Sequence, residues 1–475
     1  MDFQAFAKYM LCEDDMSYYG VGENRLGYEM KLTFPTYRGT FLCNVTDLSV
    51  YVDGRLAPNK DYRICVNGNW YTMDETDTAY KEYWFTGDKA VLRILDEEPP
   101  APGEHEVRVV MTYKVPYTGY FGSYMVNTRE CTKKLQLVSE SVTDETGGGK
   151  HDPGDFCCEE LKIGACIYSY AKLFFEKEYD VAALVKEAKE NGFTGITIVA
   201  AQFAENYPHI KDEWLYALKA AMEKYGMDAV SWEAYIDMGM RNDRDLTEEE
   251  ILEFTRNDIV YAKKAGFRMV KTQQSISPQL FAKMLPFCKK MGVKLCIEIH
   301  FPHNIHLPLW QEYLKIMAES DGYLGIAPDM SIFQNYPHKL HIDQAFNDPQ
   351  CRKEKIQQIL REWDVKKGVE VLETMDLNER EKMYGKEFYE KNGVPSDPED
   401  LKLMLPYSHM LHGKFYYLGE DETDPCIPYE EIMKIVKDYG YKGYITAEYE
   451  GHHFSTEEDE RVQMTRYQSM LRRLL

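Results

Sequence analysis

The sequence predicts an α/β protein of two unlike parts, a (β/α)8 barrel preceded by an all-β sandwich or barrel-like domain. Three observations point there. Short period-two strands fill the first quarter of the chain, strand–helix alternation fills the rest, and a glycine-rich stretch separates them. The length of 475 residues also exceeds one ordinary domain.

Between residues 28 and 137, apolar side chains alternate or form short runs rich in Val, Tyr, Phe and Thr, as in 48–52 (LSVYV), 90–95 (AVLRIL) and 106–113 (EVRVVMTY). Turn-forming residues separate them at Asp53-Gly54, Asn67-Gly68-Asn69 and 99–103 (PPAPG). Strands at this spacing predict an antiparallel sandwich or small barrel over residues 1–143. Residues 144–156 (DETGGGKHDPGDF) read as a linker, and 157–475 as the barrel domain.

Eight strands are expected at 163–168, 195–200, 228–235, 269–272, 293–300, 324–328, 409–417 and 443–448. Charged amphipathic helices such as 180–191, 213–225 and 248–265 lie between them. Glycines such as Gly226 and Gly266 sit where helices must end, because glycine tolerates the left-handed conformation of a helix terminus. The stretch 338–405 is an insertion, with extra helices expected at 353–363 and 377–389. A doubly wound open sheet is the alternative, but no GxGxxG follows a strand.

Hydrophobic residues make up 44% and charged residues 28%, as in a globular protein. With 56 Lys and Arg against 79 Asp and Glu, the net charge is −23, which argues against nucleic acid or anionic membranes as partners. No uncharged apolar run long enough to span a membrane occurs, and the opening residues lack the features of a secretion signal. The 11 cysteines show no CxxC spacing, so free, mostly buried thiols and a cytoplasmic location are expected.

Catalytic groups of such barrels sit at the C-terminal ends of strands. Those ends offer Glu298 and His300 on the fifth strand, Asp329 on the sixth, His412 and Lys414 on the seventh, and Glu448 and Glu450 on the eighth. Side chains two apart on a strand share a face, so each pair can point into the barrel mouth. Glu298, Asp329, His412 and Glu448 form a hard, oxygen-rich ligand set for a divalent metal. Manganese is favoured, with Mg²⁺, Co²⁺ and Zn²⁺ as alternatives. The alternative for any one carboxylate is an ordinary place on the barrel lip. His303 and His306 are expected to be solvated, and His409 to be structural. Glu233 and Lys271 suit sugar hydroxyls or a rim ion pair equally well. For His452 and His453, substrate contact and solvent exposure are both open.

With these residues placed, the C-terminal part resembles the xylose isomerase-like sugar isomerase/epimerase superfamily. Within it, E-x-H at 298–300, P-D-M at 328–330, H-G-K-F-Y at 412–416 and E-Y-E-G at 448–451 look most like the large (alpha) subunit of C-glycoside deglycosidases and 3-oxo-glycoside lyases. Residues 36–41 (TYRGTF), 52–54 (VDG) and 116–122 (PYTGYFG) look like the small (beta) subunit of the same enzymes. Usually separate chains, the two would be fused here. Where the family often has H-x-H-G-K, this sequence has His409-Met-Leu-His412-Gly-Lys414.

The resemblance implies metal-dependent β-elimination. A C3 ketone acidifies the C2 proton, and a metal on the C3 oxygen and a neighbouring hydroxyl stabilises the enediolate. His300 is the expected base, because an imidazole titrates near neutrality, and Lys414 or Glu450 the expected acid or charge stabiliser. The expected partners are a 3-oxo-glycoside, a separate oxidoreductase that supplies its ketone, and further copies of the chain in a homo-oligomer. An isomerase or epimerase using the same metal is second, and a non-catalytic sugar-binding protein third. The loop carrying Tyr117, Tyr120 and Phe121 is expected to pack on the barrel rather than cap the site.

Overall fold

The computed structural model describes residues 4–21, 24–57, 62–96, 99–119, 122–138, 160–392 and 395–475. The expected linker and Tyr120 and Phe121 lie outside these residues.

Eleven described strands build the first domain: β1 (Met16–Val21), β2 (Asn24–Leu32), β3 (Thr40–Phe41), β4 (Val45–Val52), β5 (Arg55–Ala57), β6 (Tyr62–Val66), β7 (Asn69–Thr72), β8 (Tyr83–Trp84), β9 (Ala90–Leu95), β10 (Gly103–Val115) and β11 (Met125–Val138). Nine form one sheet in the order β5-β4-β10-β11-β1-β2-β9-β6-β7, and β3 pairs with β8 apart from it. Alternation drives the register. In β10, Val107, Val109, Met111 and Tyr113 are buried while their neighbours are not, and β11 follows with Cys131, Leu135 and Leu137. Asp53-Gly54 and Asn67-Gly68 have positive φ at both residues. That is the turn whose twist suits a two-residue hairpin, and these two turns join β4 to β5 and β6 to β7. The sheet curls round one core: the Tyr62 hydroxyl of β6 donates to Ala57 O at 2.8 Å and accepts from Val50 N at 2.9 Å, reaching the opposite end of the strand order.

The second domain is a parallel barrel of β12 (Leu161–Cys166), β13 (Gly195–Val199), β14 (Asp228–Glu233), β15 (Met269–Thr272), β16 (Lys294–Ile299), β17 (Leu324–Pro328), β18 (Leu411–Phe415) and β19 (Gly443–Tyr449). Strands β12 to β17 pair in sequence, β19 pairs β12 and β18, and isolated bridges Ile326↔Ser408 and Asp329↔His412 close β17 onto β18. Helices Asp212–Tyr225 and Glu248–Ala265 end at Gly226 (φ 60°) and Gly266 (φ 92°), where a side chain would strain the backbone. The insertion carries helices Lys339–Asn347, Lys353–Arg361 and Glu379–Asn392 around its own small core, including Ile356, Ile359 and Phe388. The nine described cysteines are free and seven are buried. Among the described residues no helix is long and apolar enough to cross a membrane.

The two domains share a core. Phe41, Cys43, Tyr83 and Phe85 belong to the hydrophobic cluster of the barrel, Tyr83 donates to Ala201 O at 2.8 Å, and Gly239 N donates to Pro116 O at 3.0 Å. At the centre of the contact, Arg38 pairs with Asp237 at 2.9 Å, and both side chains are below 5% exposed. Tyr117 and Tyr235 flank the guanidinium at 4.8 and 5.1 Å, a cation–π arrangement that compensates for lost hydration. Removing one partner of such a pair strands a buried charge. Arg38→Met is therefore expected to lower unfolding stability by about 3–5 kcal/mol, seen as a fall in the urea midpoint, and Asp237→Leu in the same chain should recover part of it. An unchanged midpoint for the single variant would show that the pair does not hold the domains.

Candidate active site

The period of two places the chemistry. Val230, Met269, Cys296, Ala327, Met410 and Tyr444 form a small apolar cluster inside the barrel. Two residues further along their strands, on the same face, come Lys271, Glu298, Asp329 and His412, and four beyond Tyr444 comes Glu448. The intervening Val270, Ile297, Leu411, Ile445 and Ala447 pack outward into the main core. An apolar plug below thus forces a polar layer above, at the C-terminal mouth.

In that layer one ligand atom from each of Glu298, Asp329, His412 and Glu448 lies within 4.8 Å of the others, and all four residues are buried. His412 Nδ1 is 2.6 Å from Glu298 Oε1, 3.2 Å from Glu448 Oε2 and 3.8 Å from Asp329 Oδ2. Lys414 Nζ contacts Glu448, and lies 3.3 Å from Asp329 Oδ2 and 2.8 Å from Glu450 Oε1. Lys271 Nζ donates to Glu298 at 2.7 Å and lies 3.2 Å from Glu233. Asp329 Oδ2 and Glu448 Oε2 are held by ion pairs with Lys414 and His412 rather than by well-aligned hydrogen bonds. Five carboxylates (Glu233, Glu298, Asp329, Glu448, Glu450) thus face two ammonium groups and one imidazole. This acidic excess, with converging oxygens and one imidazole nitrogen, fits a divalent cation.

The titration of these groups follows from burial opposed by neighbours. Burial pushes Glu448 up to about 7 against the pull of His412 and Lys414. Burial also opposes ionisation of Glu450, but Lys414 holds that carboxyl down to about 2. Glu298, equally buried, is kept well below the carboxylate range by Lys271 and His412. Lys414, despite burial, is kept well above the ordinary lysine value by Asp329, Glu448 and Glu450.

Above the cluster lies a cavity of about 280 Å³ lined by both domains. Glu298, Asp329, Glu448, Lys414, Glu450 and His300 line it from the barrel, and Phe34, Tyr37, Arg38, Tyr113 and Tyr117 from the first domain. His300 Nδ1 faces Phe301 O at 2.5 Å. A carbonyl only accepts, so Nδ1 carries the proton and Nε2 is the basic nitrogen.

The remaining candidates separate. Glu233 and Lys271 form a buried ion pair beneath Glu298 rather than part of the cavity wall. His303 is not solvated as expected: it is half-buried and accepts from Trp310 Nε1 at 3.0 Å, and burial lowers it to about 4. The exposed His306 pairs with Asp400 at 2.8 Å. His409 packs against Gly325 near the N-terminal end of β17, far from the mouth. His452 and His453 are both buried; His453 bonds the Tyr168 hydroxyl at 2.6 Å, stacks on Tyr37 and lines the cavity. Tyr117 packs on Tyr235 as expected, and it also forms part of the roof, which was not expected. Sequence reasoning missed Tyr37 and Arg38, although both lie in the quoted 36–41 motif, and His338, His341, Lys391 and Asn392 of the insertion, which carry no local signal.

An eight-stranded parallel barrel with a buried carboxylate–imidazole cluster at its mouth defines the class, and residues 185–473 match the xylose isomerase-like TIM barrel family, to which the chain belongs. Residues 6–117 match the C-glycoside deglycosidase beta subunit, so the two parts join in one chain what those relatives carry as alpha and beta subunits. The chain is 28% identical to the 3'-dehydrocarminate deglycosidase alpha subunit of a Microbacterium species, over 63% of this chain and 90% of that protein. It is 31% identical to the beta subunit of that name, over 23% of this chain and 83% of the other. A C-glycoside deglycosidase beta subunit of Microbacterium trichothecenolyticum is 38% identical over 20% of this chain and 69% of its own. Among solved structures, a sugar phosphate isomerase/epimerase from Parabacteroides distasonis overlaps 70% of this chain and 96% of its own at 12% identity, with a TM-score of 0.42. Family and relatives mark the chain as an enzyme related to deglycosidases.

Because a cation bound here would displace the proton that Glu448 holds up to about pH 7 and the one that neighbouring carboxylates hold on His412, Mn²⁺ affinity should fall by roughly tenfold or more per pH unit below pH 7. Calorimetric titrations from pH 6 to 8 in buffers of different ionisation enthalpy read both the affinity and the released proton. An affinity independent of pH across that range would remove Glu448 from the ligand set.

Proposed function

We propose that the chain cleaves the bond between a 3-oxo-sugar and its aglycone by β-elimination, with C-glycosides as the first class of substrate and O-glycosides as the second. The observation that carries this reading is the juxtaposition of His300, with its proton fixed on Nδ1, and the buried acidic cluster on one floor of a cavity roofed by aromatic side chains. The similarity to a 3'-dehydrocarminate deglycosidase alpha subunit supports an oxidised sugar as substrate. Glu298, Asp329, His412 and Glu448 would hold the divalent ion, with manganese the choice for so oxygen-rich a set, and the bound ion would supply Lewis-acid stabilisation of negative charge on the sugar oxygens.

The residues of the chain supply the rest. His300 Nε2 removes the C2 proton, made acidic by the C3 ketone. That electron pair forms the C1=C2 bond while the bond from C1 to the aglycone breaks, and its electrons leave with the aglycone, which then takes up a proton. Lys414, held as a cation by three carboxylates, and the ionised Glu450 beside it set the charge next to the reacting carbons. The products are free aglycone and a 1,2-unsaturated 3-oxo-sugar. A separate oxidoreductase must install the ketone. Free, mostly buried thiols suit a reducing cytoplasm, where the chain would act as a homo-oligomer. Isomerase or epimerase chemistry on the same cluster is the second reading, carried by the barrel family; a roof of aromatic side chains favours a substrate with an aglycone.

Metal-replete protein incubated with a chemically prepared 3-oxo-glucoside should release aglycone and the unsaturated sugar, detected by mass spectrometry, and chelation should stop both. An epimerised sugar with its glycosidic bond intact would establish the second reading instead. His300→Ala should lose about 10²–10⁴-fold in kcat with metal content unchanged, and full activity in that variant would end its assignment as base.

A further inference from the structure

The insertion contributes a wall of the cavity that the elimination itself does not use. His338 and His341 are 4% and 2% exposed, and both line the cavity, as do Asn392 and Lys391. His338 Nδ1 accepts from His341 N at 3.3 Å, capping the helix Lys339–Asn347. Its proton therefore sits on Nε2, which has no hydrogen-bond partner. His341 Nε2 faces Glu387 at 3.3 Å. A carboxylate only accepts, so the His341 proton is on Nε2, and Nδ1 is left as an acceptor without a partner. Asn392 donates through Nδ2 to Phe388 O at 2.8 Å, while its Oδ1 has none.

A ring flip does not correct this, because it gives up the bond that His338 accepts from His341 N or the one that His341 makes to Glu387. His338 stacks on Tyr416 at 4.2 Å and meets Phe454 edge-on at 4.4 Å, and His341 lies against Phe388 at 4.7 Å. Burial keeps both imidazoles neutral, His341 down at about 4 and His338 well below its ordinary value, so the tautomers hold at neutral pH. One donor and two acceptors are thus locked on one wall, each costly to leave buried and unsatisfied.

The group that accepts from an imidazole N–H and donates to a neighbouring acceptor at once is a hydroxyl. The geometry points to a subsite in which His338 Nε2, His341 Nδ1 and Asn392 Oδ1 bind the sugar hydroxyls remote from the reacting carbons, those on C4 and C6. This rests on the 3-oxo-glycoside reading. The subsite stands over the ends of β17 to β19, whereas the first domain roofs the side nearer β12 to β14 through Tyr37, Arg38 and Tyr117. The sugar would therefore lie toward the insertion and the aglycone toward the first domain.

The test uses the full metal-loaded chain, a 3-oxo-glucoside, and its 4-deoxy and 6-deoxy forms bearing the same aglycone. His338→Asn keeps the helix-capping acceptor and, being shorter, has no donor at the place of Nε2. His341→Gln keeps a donor to Glu387 through its Nε2 and has no acceptor at the place of Nδ1, its Oε1 lying on the other side. Each should lower kcat/KM for the full sugar by roughly tenfold, the scale of one hydrogen bond, with the melting temperature unchanged. The penalty should vanish for the deoxy sugar that lacks the contacted hydroxyl. A penalty equal across all three sugars, or none with the full sugar, overturns the subsite and leaves only water on that wall. If wild-type chain releases no aglycone from any of them, the functional reading has failed. The same comparison is then made on Kd by calorimetry with the unconverted sugars, where a penalty confined to sugars bearing the hydroxyl supports the subsite and a uniform or absent one overturns it.

Discussion

Everything at the mouth depends on how the barrel closes. Seven of its eight strand junctions are ladders, but β17 and β18 meet only through two isolated bridges, one of them Asp329↔His412. Two of the four candidate ligands are thus the closing contact itself. The barrel can shut there only if a carboxylate and an imidazole tolerate each other in a dry interior, and they do because Lys414 and the neighbouring acids balance the charge. The contact that closes the barrel thus also brings two candidate ligands side by side.

The same constraint explains the buried lysines. Each of Lys271 and Lys414 touches at least two carboxylates and is below 10% exposed. A low-dielectric floor with that many acids would otherwise keep some of them protonated, and a proton there competes with any cation. Lys271 holds Glu298 ionised from below, and Lys414 does the same for Glu450 from the side. Glu448, which stays raised against the pull of His412 and Lys414, is where a proton and a cation would compete.

Much of this was legible in the sequence because it is local. Strand ends follow from period-two alternation and from glycines that stop helices, and the residues two apart at those ends, such as 298 with 300 and 412 with 414, share a face by geometry alone. Their convergence on one floor follows once eight strands are counted. Long-range docking is another matter. Tyr37 and Arg38 look like ordinary turn residues until the first domain settles on the barrel, and nothing in the spacing of His338, His341 and Asn392 shows that the insertion folds back over the mouth. His453 and His303 were equally hard to read, since Tyr168 and Trp310, which decide their surroundings, lie on different elements.

The shared core of the two domains also bears on how the enzyme behaves when scarce. Where the parts are separate polypeptides, as the relatives' names of alpha and beta subunit have it, they must meet by diffusion, and the fraction paired falls on dilution. Here Arg38 and Tyr117 are tethered to the barrel they roof, at an effective local concentration on the order of millimolar. The roof is present at any concentration of the protein, in a fixed one-to-one ratio with the floor it covers.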